Sequence, residues 1–170
     1  MKNAAVLFLF ALMGATALFS GCKKASEKVT EKIIEKSLKN SGASDAKVDL
    51  SQGKMSIKTD TGEMVMSTGD SVSLPADFPK DIYVIKGAKI QTALKMPDGY
   101  MIQLSIEQEK SKVANTYVSE MKAQGWTSDT SMDTGDTSIR IFKKDKRQTA
   151  VNIAKKDSAS EVMLTSTTEK

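Results

Sequence analysis

The sequence predicts an α+β fold: an antiparallel sheet in the order β-β-α-β-β-β-β with one covering helix, preceded by a small β-meander and an N-terminal helix. Three observations carry that expectation. Apolar and polar residues alternate in short segments from Val48 onward, the period of half-buried strands. Turn residues separate those segments at hairpin spacing, as at Gln52-Gly53, Thr61-Gly62 and Pro97-Asp98-Gly99. One stretch, SKVANTYVSEMKAQGW, switches to helical spacing. An order of strand, strand, helix and four strands needs no parallel crossover, which leaves an antiparallel layer with the helix over one face.

Lys2 and the amino terminus supply positive charge, Ala4 to Phe19 run sixteen residues without a charged side chain, and Ser20 and Gly21 precede Cys22. This is the layout of a secretory leader, and the run is short of the about 20 apolar residues a membrane span needs. Cys22 is the only cysteine. It therefore closes no internal disulfide, and a free thiol on an exported chain is an oxidation liability. The stretch LFSGC resembles the lipobox of bacterial lipoproteins, with Leu18 four residues before the cysteine and Phe19 where that family usually has leucine. The resemblance implies that residues 1–21 are a lipoprotein signal peptide, that Cys22 is the lipid attachment site, and that the mature chain starts there. Its first partner is then the lipid bilayer, gripped by acyl chains worth about 0.8 kcal/mol per buried methylene. Lys23 and Lys24 stand where such lipoproteins often carry an aspartate for inner-membrane retention. The expected location is a membrane, lipid-anchored, on the outer membrane facing the periplasm in a cell with two membranes.

Residues 22–42 read as a lipid-anchored, charged amphipathic helix, from Glu27 to Asn40, with Ser26 to cap it and Gly42 to end it. Val29, Ile33, Ile34 and Leu38 form a narrow stripe, and Lys28–Glu31, Lys32–Glu35 and Glu35–Lys39 stand one turn apart. The expectation is a solvated stalk that rests its stripe on the rest of the chain. The alternative is a helix lying on lipid with its lysines toward anionic head groups.

Residues 43–74 carry the pairs Val48 and Leu50, Met55 and Ile57, Met64 and Met66, and Val72 and Leu74, a meander of three or four strands. It is too slight to stand alone, so it docks on the rest or is completed by a partner. Residues 75–87, with two of the three prolines, read as a linker anchored by Phe78 and Tyr83. Residues 88–170 hold the main α+β domain. Its hairpin turns at Pro97-Asp98-Gly99, and its helix has Ser111 as N-cap, Val113, Ala114, Tyr117, Val118 and Met121 on one face, and Gly125 as a left-handed stop. That stop places Trp126 back against Met121. Four strands follow, near Trp126–Met132, Ser138–Lys143, Thr149–Ala154 and Glu161–Thr165. The stretch FPKDIYVIKGAK, Tyr100 and TYVSEMKAQGW is similar to uncharacterised domains of exported bacterial lipoproteins, over roughly Pro75 to Val162. That resemblance implies one compact domain and no activity.

Composition excludes whole classes of chemistry. There is no histidine, and acylation removes the one thiol, so Ser-His-Asp and Cys-His catalysis and zinc sites of Cys or His are closed. No cofactor and no metal site is expected. The basic balance, with a pI near 9.0, does not point to nucleic acid. Lys23 to Asn40 holds six lysines and three glutamates, whereas Ser41 to Lys170 holds eighteen basic and eighteen acidic residues.

Several short motifs approach a chemical pattern without completing it. Ser51-Gln52-Gly53-Lys54 and Ser119-Glu120-Met121-Lys122 have the serine-lysine spacing of penicillin-recognising enzymes without their companion motifs. Asp129, Ser131, Asp133 and Asp136 have a calcium-loop rhythm, but Thr134 and Arg140 stand where glycine and glutamate are needed. Lys143 to Arg147 falls on a predicted turn, where charges stay solvated. Glu107 and Glu109 make an exposed carboxylate pair. Met64 and Met66 share one strand face, expected toward the core.

The expected function is that of a noncatalytic, lipid-anchored binding or assembly module of the cell envelope. Its partner would be a protein or envelope polymer, taken along an open sheet edge. The alternatives are an envelope hydrolase using carboxylates only and a methionine-based carrier of a soft metal such as copper.

Overall fold

The computed structural model describes residues 25–169. The leader, the lipobox-like stretch and Cys22 lie outside the described residues. The chain forms α1 (Ala25–Asn40), β1 (Asp45–Asp49), β2 (Lys54–Thr59), β3 (Gly62–Thr68), β4 (Lys89–Met96), β5 (Gly99–Ile106), α2 (Lys110–Ala123), β6 (Thr127–Thr134), β7 (Thr137–Lys144), β8 (Arg147–Lys156) and β9 (Ala159–Thr168). All nine strands belong to one antiparallel sheet in the order β1-β2-β3-β4-β5-β9-β8-β7-β6. The fold is α+β, as the alternation and the single strong helix predict. One meander enters from each edge, and the two meet where β9 pairs with β5. The chain leaves the sheet at β5 and re-enters at the far edge, and α2 spans that distance across β6 to β9.

The N-terminal meander joins the rest edge to edge, through the β3–β4 ladder from Val65↔Lys95 to Thr68↔Thr92. Val72 and Leu74 are on no strand; they pack on the main core from an irregular segment. Residues 75–87 contribute Phe78, Ile82 and Ile85 to that core, while Tyr83 is only partly buried. The two isoleucines carry no period in sequence, so they escape a pattern search.

The main core lies on one face of the sheet, here the front, between the strands, the 75–87 segment and α2. Ile102, Leu104, Val151, Ile153, Val162 and Leu164 have no exposed surface, nor do Val113, Tyr117 and Met121 of the helix. Rings lock the layers: Phe78 meets Tyr100 edge-on at 5.3 Å and Tyr83 meets Tyr117 at 5.5 Å. Helix α2 ends as its Gly125 predicts. At φ +82, Gly125 donates its N–H to Lys122 O at 3.0 Å and Trp126 donates to Met121 O at 3.0 Å. Its start differs from expectation. Glu109, not Ser111, occupies the cap position, and no side chain caps it.

Tyr117 is a polar exception inside this core. Its hydroxyl is enclosed with the Ile85 backbone beside it but no hydrogen bond of good geometry, and burial pushes its pKa up. Removing an unsatisfied buried hydroxyl while keeping the ring relieves a desolvation cost. Tyr117→Phe is expected to be neutral or to stabilise by up to about 1 kcal/mol, read from the urea midpoint at unchanged slope.

Helix α1 packs on the other face, the back, at the opposite end of the sheet. Ile34 and Leu38 rest on Ala46, Val48, Met55 and Ile57. Its expected stripe is thereby split, because Val29 and Ile33 remain 59% and 63% exposed. The edge strand β1 is closed by the same helix. Val48 N–H donates to Glu35 Oε1 and Leu50 N–H to Glu31 Oε1, both at 2.9 Å. Gly42, at φ +103, ends α1 as predicted.

Candidate functional site

Because partners across an antiparallel ladder share a face, the register places one continuous row across the back of the sheet. It runs Val48, Met55, Met66, Leu94, Met101, Thr165, Ala150, Ile141, Thr130, one residue from each strand. A second row runs Thr68, Thr92, Gln103, Met163, Asn152, Ile139, Met132. Met64 and Met96 take the same face by strand alternation. Of the eight described methionines, seven therefore lie on the back face, and only Met121, on α2, lies in the main core.

A solvated face of an antiparallel sheet normally alternates toward charge. These two rows contain no charged residue, in a chain that is 27% charged. Their methionines are half-buried or exposed, Met163 at 41% and Met132 at 47%, while Leu94 beneath its neighbours is 9% exposed. Among the described residues α1 covers this face only over β1 and β2. Unbranched thioethers repack around different shapes, so such a surface accommodates an apolar partner without a preformed pocket. The sequence pairing of Met64 with Met66 is correct, but the face they occupy is opposite the main core, not part of it.

The other sequence candidates are engaged elsewhere. Lys144 and Arg147, expected to stay solvated at a turn, clasp Asp81 of the 75–87 segment. The Asp81 carboxylate accepts from Arg147 Nη1 at 2.9 Å, Arg147 Nη2 at 2.7 Å and Lys144 Nζ at 2.8 Å. Trp126 Nε1 donates to Asp81 O at 2.6 Å, and the guanidinium stacks 5.0 Å from the Trp126 ring centre. Arg147 beside it holds the Asp81 carboxyl well below the usual carboxylate range. This cluster fastens the 75–87 segment to the β7–β8 turn.

Asp81→Asn is expected to destabilise the fold by about 2 kcal/mol, discounted because the pair is a quarter exposed. A carboxyl whose pKa is lowered by folding stabilises the fold above the unfolded value, about 4, and loses that contribution as pH falls. Below about pH 4 the wild type should therefore lose stability more steeply than Asp81→Asn, as thermal melts across an acid series would show.

The calcium rhythm resolves into ion pairs. Asp129 meets Lys143 at 2.9 Å, and Asp133 takes both oxygens to Arg140 Nη2 at 3.0 and 2.9 Å. Glu109 precedes α2, and Glu107 shares an open groove at the end of the sheet with Glu161, which is paired with Lys156. Ser51 donates to Asp49, and Ser119 is exposed on α2. Among the described residues no three His, Cys, Asp or Glu side chains converge as a metal group. No described helix is long and apolar enough to cross a membrane.

The two edges of the sheet differ. The β1 edge is closed by Glu31 and Glu35 of α1. Strand β6 is exposed along its length but bulged between Ser128 and Thr130 and studded with Asp129 and Asp133, features that guard an edge against pairing.

A family model described as START domain-like matches residues 88–162, from the residue before β4 into β9. The matched span is under half of the chain and contains α2 and most of the strands it covers. No curated protein and no solved structure matches the chain.

Proposed function

We propose that the protein is a noncatalytic binding module, acylated at Cys22 and held on the envelope membrane, whose methionine-rich back face receives an aliphatic amphipathic helix of a partner protein. In a cell with two membranes its place is the outer membrane, facing the periplasm. The observation that carries the reading is the pair of uncharged rows, one across all nine strands and one across seven, uncovered beyond β2 among the described residues. Its covered end supplies the kind of occupant, since what lies on Val48 and Met55 is a helix presenting Ile34 and Leu38. The match to a START domain-like family supports a binding role. The core residues beneath α2 have almost no exposed surface, whereas the methionine rows do, which favours the sheet surface as the place of binding.

The anchor is tested by mass spectrometry of protein from its own host. A chain starting at Cys22 with added acyl mass is expected, and Cys22→Ser should leave an unprocessed, unlipidated precursor. A different start, or no lipid mass, contradicts the anchor. The face is tested with a photo-reactive side chain at Met101 in intact cells, which should give a discrete crosslinked species that the same group at Ser119 on α2 does not. Equal crosslinking from both positions contradicts the face.

A second reading is favoured by the same seven methionines, since thioethers are soft ligands for Cu(I). Met55 and Met66 are directly cross-strand, and Met64 lies two residues along the same face. It predicts that Ag(I) shifts the methyl resonances of these three before that of Met121; no shift at stoichiometric Ag(I) removes it.

A further inference from the structure

We infer that α1 lies flat on an anionic bilayer through an outward face made of Lys28, Lys32, Lys36, Val29 and Ile33. The inference rests on the anchor reading only for which membrane it meets. In sequence, the lysines and glutamates of α1 alternate and nearly balance. The fold separates them. Glu31 and Glu35 turn to the sheet edge and accept the Leu50 and Val48 amides at 2.9 Å. Lys39 is spent on Asp45 at 3.0 Å.

Lys28, Lys32 and Lys36 recur every four residues, so they form one ridge along the helix, and all three are exposed. Val29 and Ile33 form the neighbouring ridge, 59% and 63% exposed and clear of both cores. A cationic ridge beside exposed aliphatic side chains is the pattern of a helix seated at a lipid interface. Charge complementarity then names the occupant, because the chain from Ser41 onward is balanced and its excess lies in this segment and the two lysines before it. Position agrees: Cys22 is three residues before Ala25, so covalent reach holds an acylated sulfur within about 11 Å of the helix start. Such a polybasic face is the second signal that makes acyl anchoring stable.

The test removes the acyl group, so that its failure is distinct from failure of the anchor. Both cores are built from residues between Ile34 and Leu164, so residues 22–170 carrying Cys22→Ser keep the whole fold. This chain is floated with vesicles of phosphatidylcholine alone or with phosphatidylglycerol added. Binding is expected only with the anionic lipid, and it should weaken as salt screens the charge. Each lysine near an anionic surface strengthens binding about fivefold, so Lys28→Gln/Lys32→Gln/Lys36→Gln should reduce binding by at least about tenfold. Val29→Ser/Ile33→Ser should reduce it without removing the salt dependence. Equal binding to neutral vesicles, binding unchanged by the lysine triple, or no binding to either vesicle overturns the inference. Circular dichroism of each variant checks that α1 and the sheet remain.

Discussion

Gly99→Ala is expected to destabilise the fold by about 3 kcal/mol, a large effect for one added methyl group. Gly99 opens β5 and pairs with Thr167 of β9. A Cβ built there falls 1.9 Å from Ser166 O and 2.9 Å from Ser166 C, both backbone atoms of the neighbouring strand. A flexible side chain could swing away; a strand in mid-sheet cannot without breaking its ladder. The site also carries the junction of the two meanders, where Thr168 N–H donates to Asp98 O at 2.9 Å. The loss should appear as a lower urea midpoint, with faster amide exchange in β5 and β9 than in β1 and β2.

Phe142→Ala is the second large effect, at about 3 to 5 kcal/mol. Phe142 is 1% exposed and projects from β7 into the front core. Helix α2 lies over β7 and β8, so removing the ring leaves a cavity beneath a helix already fixed by Trp126 and the Asp81 clasp. Partial collapse is therefore limited, which puts the cost toward the upper part of the range. Phe142→Leu keeps most of the volume and should recover more than half of the loss in the same denaturation series.

Local sequence pattern reveals an element only where one of its faces is dry. Tyr100, Ile102, Leu104 and Ile106 alternate plainly because one side of β5 is dry, and SKVANTYVSEMKAQGW fixes α2 and its Gly125 stop by local rules. Strand β6 is exposed throughout, so its residues carry no such signal, and only Gly135 marks its turn in the sequence. The Asp81 clasp joins residues more than sixty apart, and no local pattern foretells it. Nor does parity settle the site. Met64 and Met66 are visibly on one face, but which face depends on how β3 meets β4 and how nine registers align. Only then do methionines from Met55 to Met163 fall on one surface. The lysines of α1 teach the same lesson, since their balance with glutamate in sequence becomes segregation once Glu31 and Glu35 bond to β1.

If a partner covers the methionine face in the cell, the methionines themselves report on it. Mild peroxide oxidises thioethers according to exposure. Met66, Met101, Met132 and Met163 should be oxidised several-fold more slowly in intact cells than in purified protein. Met121 should stay protected in both, and a control methionine on α2, Lys122→Met, should react at the same rate in both. Equal oxidation of the back-face methionines in the two settings, with the control unchanged, would mean that no partner covers this face.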